Sequence, residues 1–266
     1  MHLSRDGVVV LSHDKDLKRC FGVDKKIIDC DWSELSQLRT LREPHEPMPR
    51  LSELLEYMAR AENEHIWLLL DIKIDNDADD VMRLIAATID SVTPSQRRSW
   101  RDRIVLGLWI AKFLPLATHY LPDFPVSHIG FSTIYARSFL KVPNISFNMF
   151  SKILMGPIGT NFIRDVKAAG RELFVWTVND ENTMKWSVQK KLDGVITDNP
   201  EKFRQICDEW RDDEEEVTPT AFQWLYAFWL YFVVWMLRSV LSYRFPETVE
   251  DFLSSPRTRE QRKISI

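Results

Sequence analysis

The sequence predicts an α/β fold built around a parallel β-sheet, and three observations support this prediction. Short apolar, β-branched runs recur along the chain, segments with helical spacing lie between many of them, and glycine or proline stands at several junctions. Such alternation is typical of β/α units, in which each helix returns the chain to the same end of a parallel sheet. With 266 residues and 45% apolar content, the chain is long enough to bury a substantial core.

The predicted elements follow one another along most of the chain. The strands are residues 7–12, 66–74, 104–110, 126–132, 145–149, 173–178 and 195–197. Stretches with helical spacing lie between many of them, for example residues 50–61, 79–91, 162–169 and 180–190. Gly170 ends one helix directly before a strand, and Asn199-Pro200 begins another helix after the last strand.

Charge and cysteine content exclude several classes of function. The formal net charge of -4 leaves no basic excess to neutralise a phosphate backbone, so no nucleic-acid partner is predicted. The three cysteines, Cys20, Cys30 and Cys207, form no C-x-x-C pair and are odd in number. This pattern argues against a disulfide framework and a cysteine zinc site, and it favours a reducing, cytosol-facing setting. Nothing in the sequence identifies a protein partner.

Composition changes after residue 210, where the predicted barrel domain 1–210 ends. Residues 211–220 are predicted to be an acidic linker, residues 221–243 a membrane-associated helix, and residues 244–266 a polar tail. Residues 221–237 would span roughly 25 Å as a helix, just short of a hydrocarbon core. Their aromatic residues favour the headgroup interface, so interfacial insertion competes with a full span, and a buried helix of the preceding domain is a third interpretation.

Four of the predicted strands have polar residues at or directly after their carboxyl ends. These endings contain His13, Asp71 with Lys73, Asn179 shortly after Trp176, and Asp198. In a TIM barrel the carboxyl ends of the strands face one common site, so these endings would meet there. Other interpretations stay open: a strand-end hydrogen bond for His13, a buried ion pair for Asp71 and Lys73, and packing for Trp176. Asp198 is interpreted as a helix N-cap, and the other histidines, including His2 and His128, as surface or packing residues.

These endings, in this order, resemble the glycerophosphodiester phosphodiesterase family. The matching motifs are His13-Asp14, Asp71-Ile72-Lys73, the run 176–179 that ends in Asn179, and the run 194–200. Asp71 in place of the usual glutamate, the 107–109 strand and the apolar tail resemble most the fungal phosphatidylglycerol phospholipase C branch. The family's histidine-arginine-glycine strand and glutamate-x-aspartate motif would precede residue 2, so a TIM (β/α)8 barrel that is incomplete at its N-terminus is expected.

The resemblance implies a phosphoric diester hydrolase that acts on a membrane glycerophospholipid. Phosphatidylglycerol would give diacylglycerol and glycerol phosphate. His13 would be a catalytic acid or base, Asp71 a ligand to magnesium or calcium, and Lys73 a catalytic contact to the phosphate, while Trp176 and Asn179 would bind substrate. A phosphoinositide-type phospholipase C and a catalytically impaired, membrane-tethered binding protein are the alternatives. The expected location is a cytosol-facing surface of a lipid droplet, mitochondrion or endoplasmic reticulum.

Overall fold

The computed structural model describes residues 1–211 and 217–255, with the backbone alone at 238, 239, 241 and 242. The chain forms two compact units, Met1–Pro125 and Val126–Ile266. The centre of the predicted acidic linker, 212–216, and the predicted tail from 256 onward lie outside the described residues.

The first unit begins with a short hairpin and continues into β/α units. Its strands are β1 (His2–Leu3), β2 (Val9–Val10), β3 (Leu68–Ile72) and β4 (Ile104–Leu108). Its α-helices are α1 (Lys18–Phe21), α2 (Trp32–Leu35), α3 (Leu51–Met58), α4 (Ala78–Ser91) and α5 (Phe113–Tyr120). Three 3-10 helices cover Ile27–Asp29, Ala61–Asn63 and Trp100–Asp102.

Local chemistry explains the hairpin. Strands β1 and β2 pair antiparallel, with His2 opposite Val10. Gly7 has a φ of +83°, a conformation that side-chain-bearing residues rarely adopt, and its N–H donates to the carbonyl of Ser4 at 3.0 Å. The Ser4 hydroxyl accepts from the N–H of Val8 at 2.8 Å, which closes the turn. The predicted strand 7–12 therefore shortens to two paired residues.

Strands β3 and β4 form the parallel core of the first unit. They are in register from Leu68 opposite Ile104 to Ile72 opposite Leu108. The amphipathic helix α4 buries its apolar residues, among them Val81, Met82 and Ile85. Asp77 caps α4 by accepting from the N–H of Asp80.

The second unit contains a four-stranded parallel sheet in chain order. Its strands are β5 (Val126–Gly130), β6 (Ile145–Phe150), β7 (Leu173–Trp176) and β8 (Gly194–Val195). Its helices are α6 (Thr133–Phe139), α7 (Ser151–Leu154), α8 (Pro157–Ala168), α9 (Glu181–Gln189), α10 (Pro200–Glu209), α11 (Ala221–Arg244) and α12 (Val249–Ser254). Each predicted strand of this unit is present, so the carboxyl ends of four parallel strands lie at one edge.

Helix α11 covers the segment that was predicted to associate with membranes. It packs against α7, and Ala227 is only 2% exposed, whereas many of its large apolar side chains are exposed. In the part of the chain that the structure describes, no helix has the length and apolarity that a membrane crossing requires.

Candidate active site

Asp71, on β3 of the first unit, is held by two side-chain donors. The Lys73 ammonium lies 2.6 Å from Asp71 Oδ2, and the Trp109 indole N–H donates to Asp71 Oδ1 at 2.8 Å. The Lys73 nitrogen also lies 5.5 Å from the centre of the Trp109 ring, within range of a cation–π contact. Lys73 is 16% exposed and Asp71 38%. The structure thus brings the predicted metal ligand and the predicted phosphate contact together as an ion pair.

Burial and hydrogen bonding shift the pKa of Asp71 in opposite directions. Burial favours the neutral acid and would raise the pKa of Asp71. The hydrogen bond and charge of Lys73, together with the indole of Trp109, outweigh it and hold the pKa below its ordinary value. Asp71 is therefore a carboxylate at neutral pH, and Lys73 neutralises it.

His13 follows β2 and forms a second charged group in the first unit. Its Nδ1 lies 2.9 Å from Asp14 Oδ1, and the other oxygen of Asp14 is bonded to Arg19 Nε at 2.5 Å. The Arg19 and His13 hydrogen bonds lower the pKa of Asp14 to about 2. Because Asp14 occupies Nδ1, the exposed imidazole of His13 presents Nε2 as the nitrogen that can exchange a proton with a ligand.

His2 links the loop that carries His13 to the loop that follows Lys73. It is only 3% exposed, with Nδ1 3.1 Å from Asp75 Oδ2 and Nε2 3.4 Å from the carbonyl oxygen of His13. The sequence interpretation of His2 as a surface or packing residue missed this bridge. His128, by contrast, does pack in a core, stacked on Phe139 with 4.0 Å between ring centres.

Asn76 fixes β1 to the same loop. Its Oδ1 accepts from the N–H of Leu3 at 2.9 Å, and its Nδ2 donates to the carbonyl oxygens of Met1 and Lys73 at 3.2 and 3.1 Å. The Met1 amino group donates to the backbone oxygen of Asp71 at 2.6 Å. Asn76 was not among the predicted site residues. No local pattern marks it, because two of its partners, Leu3 and Met1, are 73 and 75 residues away in the sequence.

In the second unit, Trp176 stands at the carboxyl end of β7. Its indole N–H donates to the carbonyl oxygen of Asn148 at 3.0 Å, and its ring centre lies 5.1 Å from that of Phe150. Trp176 is half-buried, so part of its ring faces outward at the strand end. This arrangement fits both a packing residue and an apolar wall for a ligand.

Asn179 joins the loops that follow β7 and β8. Its Nδ2 donates to Asp198 Oδ2 at 2.7 Å, and its Oδ1 accepts from the Asp198 N–H at 2.9 Å and the Thr197 hydroxyl at 3.2 Å. The interpretation of Asp198 as a helix N-cap is wrong. Asn199 occupies that position before Pro200, and the Asp198 carboxylate accepts from Asn179 instead.

Lys152 adds a cation that sequence reasoning missed. It follows β6, and its ammonium lies 3.5 Å from Asp180 Oδ2 and 3.3 Å from the Thr183 hydroxyl. Asp180 follows β7 and caps α9 through the N–H of Thr183. The sequence feature that could have identified Lys152 is its position shortly after the end of an apolar strand.

The residues present do not by themselves fit a resident divalent cation. Magnesium and calcium need several oxygen ligands. Within residues 1–211 and 217–255, no group of three His, Cys, Asp or Glu side chains is placed to hold a metal ion. Both oxygens of Asp71 already accept from Lys73 and Trp109.

The sequence of this chain is similar to proteins of a known family. Residues 1–202 match the model of the glycerophosphoryl diester phosphodiesterase family. The lysophospholipase D GDPD3 of Mus musculus is 24% identical in an alignment of 252 positions that covers 82% of this chain and 75% of the relative.

Two solved structures share the fold. A glycerophosphodiester phosphodiesterase from Parabacteroides distasonis has a TM-score of 0.63 and 22% identity, covering 78% of this chain and 81% of its own. A phosphodiesterase from Oleispira antarctica, in complex with the product sn-glycerol-3-phosphate, has a TM-score of 0.64 and 19% identity, covering 78% and 82%. These likenesses confirm the predicted α/β fold of the phosphodiesterase barrel type.

Proposed function

The chain belongs to the glycerophosphoryl diester phosphodiesterase family, and we propose that it cleaves phosphatidylglycerol in the manner of a phospholipase C. Water would add to phosphorus while the bond between phosphorus and the diacylglycerol oxygen breaks. The attacking water would release one proton to the solvent, and the departing alkoxide would take one up from His13. The products would be diacylglycerol and glycerol phosphate.

The observation that carries this proposal is the Lys73 ammonium at the end of β3. A lysine ammonium has three N–H donors, and Asp71 accepts from one of them at 2.6 Å. The other two can contact the oxygens of a phosphodiester. Such a contact would offset the negative charge that otherwise repels an incoming nucleophile.

We assign the proton transfer to His13. Asp14 accepts at Nδ1 and stabilises the protonated ring, which leaves Nε2 to donate to the leaving alkoxide. Asp14 itself stays ionised, because the Arg19 and His13 hydrogen bonds lower its pKa to about 2. Asp14 would be a positioning residue and His13 the catalytic acid.

Within the second unit, Trp176 and Asn179 are the residues proposed to bind substrate. The outward part of the Trp176 ring suits the glycerol or acyl portion, since it is apolar and fixed by the indole hydrogen bond to Asn148. Asn179 uses one amide proton for Asp198 and keeps a second one for a substrate hydroxyl.

The family resemblance also led us to predict magnesium or calcium, with Asp71 as a ligand. When bound, such an ion would neutralise phosphoryl oxygens. Within the part of the chain that the structure describes, no three His, Cys, Asp or Glu side chains are placed to hold such an ion, and the steps above are assigned to side chains of the chain itself.

Product analysis tests the proposal directly. Purified protein is incubated with phosphatidylglycerol vesicles, and the lipid products are separated by chromatography. We expect diacylglycerol, and we expect His13→Ala to lower its rate of release by about 10² to 10⁴-fold. The matched control is His65→Ala, since His65 is an exposed histidine of the same unit that bonds only to a nearby backbone oxygen.

Other products would support other members of the enzyme class. Because the mouse relative is named a lysophospholipase D, lysophosphatidylglycerol and lysophosphatidylcholine are tested in parallel. Release of lysophosphatidic acid and the head-group alcohol would place the broken bond on the other side of phosphorus. Selective turnover of phosphatidylinositol would favour the phosphoinositide-type enzyme. No turnover of any lipid would favour a non-catalytic lipid-binding protein.

We also propose that the protein works on a cytosol-facing membrane surface, such as that of a lipid droplet, mitochondrion or endoplasmic reticulum. All three cysteines are free thiols, which suits a reducing compartment. The lipid substrate and the apolar helix α11 both suit a membrane. Truncation before Val217 is expected to move the protein from the membrane pellet to the supernatant. A truncated protein that stays in the pellet would contradict this.

A further inference from the structure

Helix α11 is attached to the second unit along one narrow stripe. Ala227 is buried, and a Cβ atom placed on Gly156 would lie 3.9 Å from the Cβ of Ala227. The hydroxyl of Tyr231 donates to the carbonyl oxygen of Ile153 at 2.7 Å and accepts from the hydroxyl of Thr133 at 3.4 Å. Ala227 and Tyr231 are four residues apart and so lie on one face of the helix. The centre of α11 is therefore docked on its own unit.

The docking residues locate this part of α11 at the carboxyl edge of the sheet. Thr133 comes three residues after the end of β5, and Ile153 comes three residues after the end of β6. Strands β5 to β8 are parallel, so their carboxyl ends share that edge. Trp176 ends β7, and Asn179 follows it. The docked part of α11 therefore lies at the same edge as the proposed substrate contacts of this unit.

The outer face of α11 is an exposed apolar ridge. Its members recur at intervals of three or four residues: Phe222, Leu225, Trp229, Phe232, Met236, Val240 and Tyr243. Phe222 is 77% exposed and Tyr243 90%. Two more exposed apolar residues, Phe131 and Ile134, follow β5 at the carboxyl edge. We call the helix ridge with Phe131 and Ile134 the α11 ridge.

Shape, aromatic content and charge indicate what the α11 ridge contacts. Its helical part is the convex outer side of α11, which is about 36 Å long, and this shape suits a broad, fluid surface better than a pocket. Tryptophan, tyrosine and phenylalanine favour the headgroup level of a bilayer. From residue 217 to 246 the sequence has no Asp or Glu, and its only charged residues are Arg238 and Arg244. Without a carboxylate in this stretch, an anionic lipid surface would not repel it and would attract its two arginines.

We propose that the α11 ridge rests on an anionic bilayer and turns the carboxyl edge of the second unit's sheet toward the headgroups. The helix would lie in the interface while Tyr231 keeps it attached to the protein. A lipid at that surface would then reach Trp176 and Asn179 without leaving the membrane entirely. This orientation rests on the proposed lipid substrate, whereas the binding itself does not.

Vesicle co-sedimentation tests binding without any activity measurement. The full chain is mixed with phosphatidylcholine vesicles with and without phosphatidylglycerol, and the bound fraction is measured. We expect stronger binding to the anionic vesicles. The double variant Trp229→Glu, Phe232→Glu should weaken that binding by about tenfold or more. Tyr57→Glu, an exposed aromatic residue on α3 of the first unit, is the matched control and should bind like the wild type.

A second pair of variants tests the orientation. Phe131→Glu and Ile134→Glu lie outside α11 but on the same edge, so each should also weaken vesicle binding. Circular dichroism verifies that every variant is folded. If these two bind like the wild type, the orientation is wrong. If the α11 variant binds like the wild type, or the wild type does not bind, the proposal is wrong. If the α11 variant loses self-association in sedimentation velocity while its vesicle binding is unchanged, the α11 ridge contacts a second copy of the chain and not a bilayer.

Loss of vesicle binding and loss of function are distinguishable. If the protein binds vesicles through the α11 ridge but releases no diacylglycerol, the proposed hydrolysis fails and the docking surface stands. If it releases diacylglycerol but binds equally well without the ridge, the docking surface fails and the hydrolysis stands.

Discussion

Lys73 and Trp109 keep Asp71 ionised in a half-buried position. A carboxylate loses hydration there, and the ammonium and indole replace part of it. Because the folded-state pKa of Asp71 is lowered, its contribution to stability is complete above the ordinary value of 3.8 and is lost as the pH falls through the folded value.

Removing Lys73 alone should therefore cost more stability than removing the whole pair. In Lys73→Met, the Asp71 carboxylate stays partly buried at pH 7 without the ammonium that compensates its charge. In Asp71→Asn, Lys73→Met, no charge is left to bury. We expect the double variant to unfold at a higher urea concentration than Lys73→Met, measured by circular dichroism. Equal midpoints would mean that Asp71 does not depend on Lys73.

His2 should make the stability of the first unit depend on pH. Burial is the main cause that lowers the pKa of His2, and the nearby Asp75 opposes it. The unfolded chain therefore takes up a proton at higher pH than the folded one, so stability is present above the ordinary value of 6.5 and falls below it.

The variant His2→Gln tests this dependence. Glutamine can keep a hydrogen bond to Asp75 or to the His13 carbonyl, but it does not titrate. We expect the wild type to lose more unfolding free energy than His2→Gln between about pH 7 and about pH 5. Urea unfolding across that range provides the measurement. The Met1 amino group, whose pKa burial lowers to about 6, is present in both proteins and contributes to both pH profiles. Parallel pH profiles would contradict the assignment.

At the residue scale, sequence reasoning worked where partners are close along the chain. Asp71 and Lys73 alternate on one strand and were expected on the same side, and the structure joins them. His2 and Asp75 are 73 residues apart, so neither periodicity nor spacing could pair them. The roles of His13, Lys73, Trp176 and Asn179 in catalysis or binding stay predictions.

At the scale of elements, the parallel strands were predicted well and the segment 11–50 was not. The strands have apolar β-branched runs that define them locally. Segment 11–50 instead has short helices and isolated bridges, such as Asp16 opposite Lys26, around a small core that includes Leu17, Ile27 and Leu35. Helix α5 was missed because Pro115 interrupts its pattern. Proline is tolerated there, since first-turn N–H groups have no helical acceptor.

Arg103 uses its buried guanidinium group to stabilise the backbone of the segment that precedes β3. It is fully buried before β4, and it donates to the carbonyl oxygens of Ile66 and Asn63 at 2.9 and 2.7 Å. Its guanidinium carbon also lies 5.4 Å from the centre of the Trp100 ring. These contacts satisfy carbonyl groups that no strand pairing reaches.

Arg103→Met should therefore destabilise the protein, because the Ile66 carbonyl loses its donor and the Asn63 carbonyl keeps only the N–H of Ile66, at 3.0 Å. We expect a loss of about 2–4 kcal/mol in unfolding free energy from urea denaturation. Arg98→Met is the matched control: Arg98 also donates to two backbone oxygens, of Glu64 and Asp102, but is partly exposed. Arg98→Met should lower the unfolding free energy by less than about 1 kcal/mol, since water can replace the partly exposed guanidinium group. Equal losses would show that burial is not what makes Arg103 important.

At the scale of the whole molecule, the order of strands and helices was predictable because local sequence patterns determine it. The residues that could bind a metal ion come from distant segments, so their contacts were not predictable in this way. The family resemblance implied magnesium or calcium at Asp71. In the described residues, that carboxylate has Lys73 and Trp109 as partners, and no group of three His, Cys, Asp or Glu side chains is placed to hold a metal ion. A divalent cation would have to displace the ammonium and supply most of its shell from water or phosphate.

We therefore expect magnesium and calcium to bind this chain weakly in the absence of lipid. A ligand that binds only the folded state raises the unfolding temperature as its concentration approaches the dissociation constant. Neither ion at about 1 mM should raise it measurably, and EDTA should not lower it. Asp71→Asn, measured in the same way, should show the same lack of response. A saturable rise in the wild type that Asp71→Asn abolishes would contradict this expectation, because it would show that Asp71 gives up Lys73 to bind the metal.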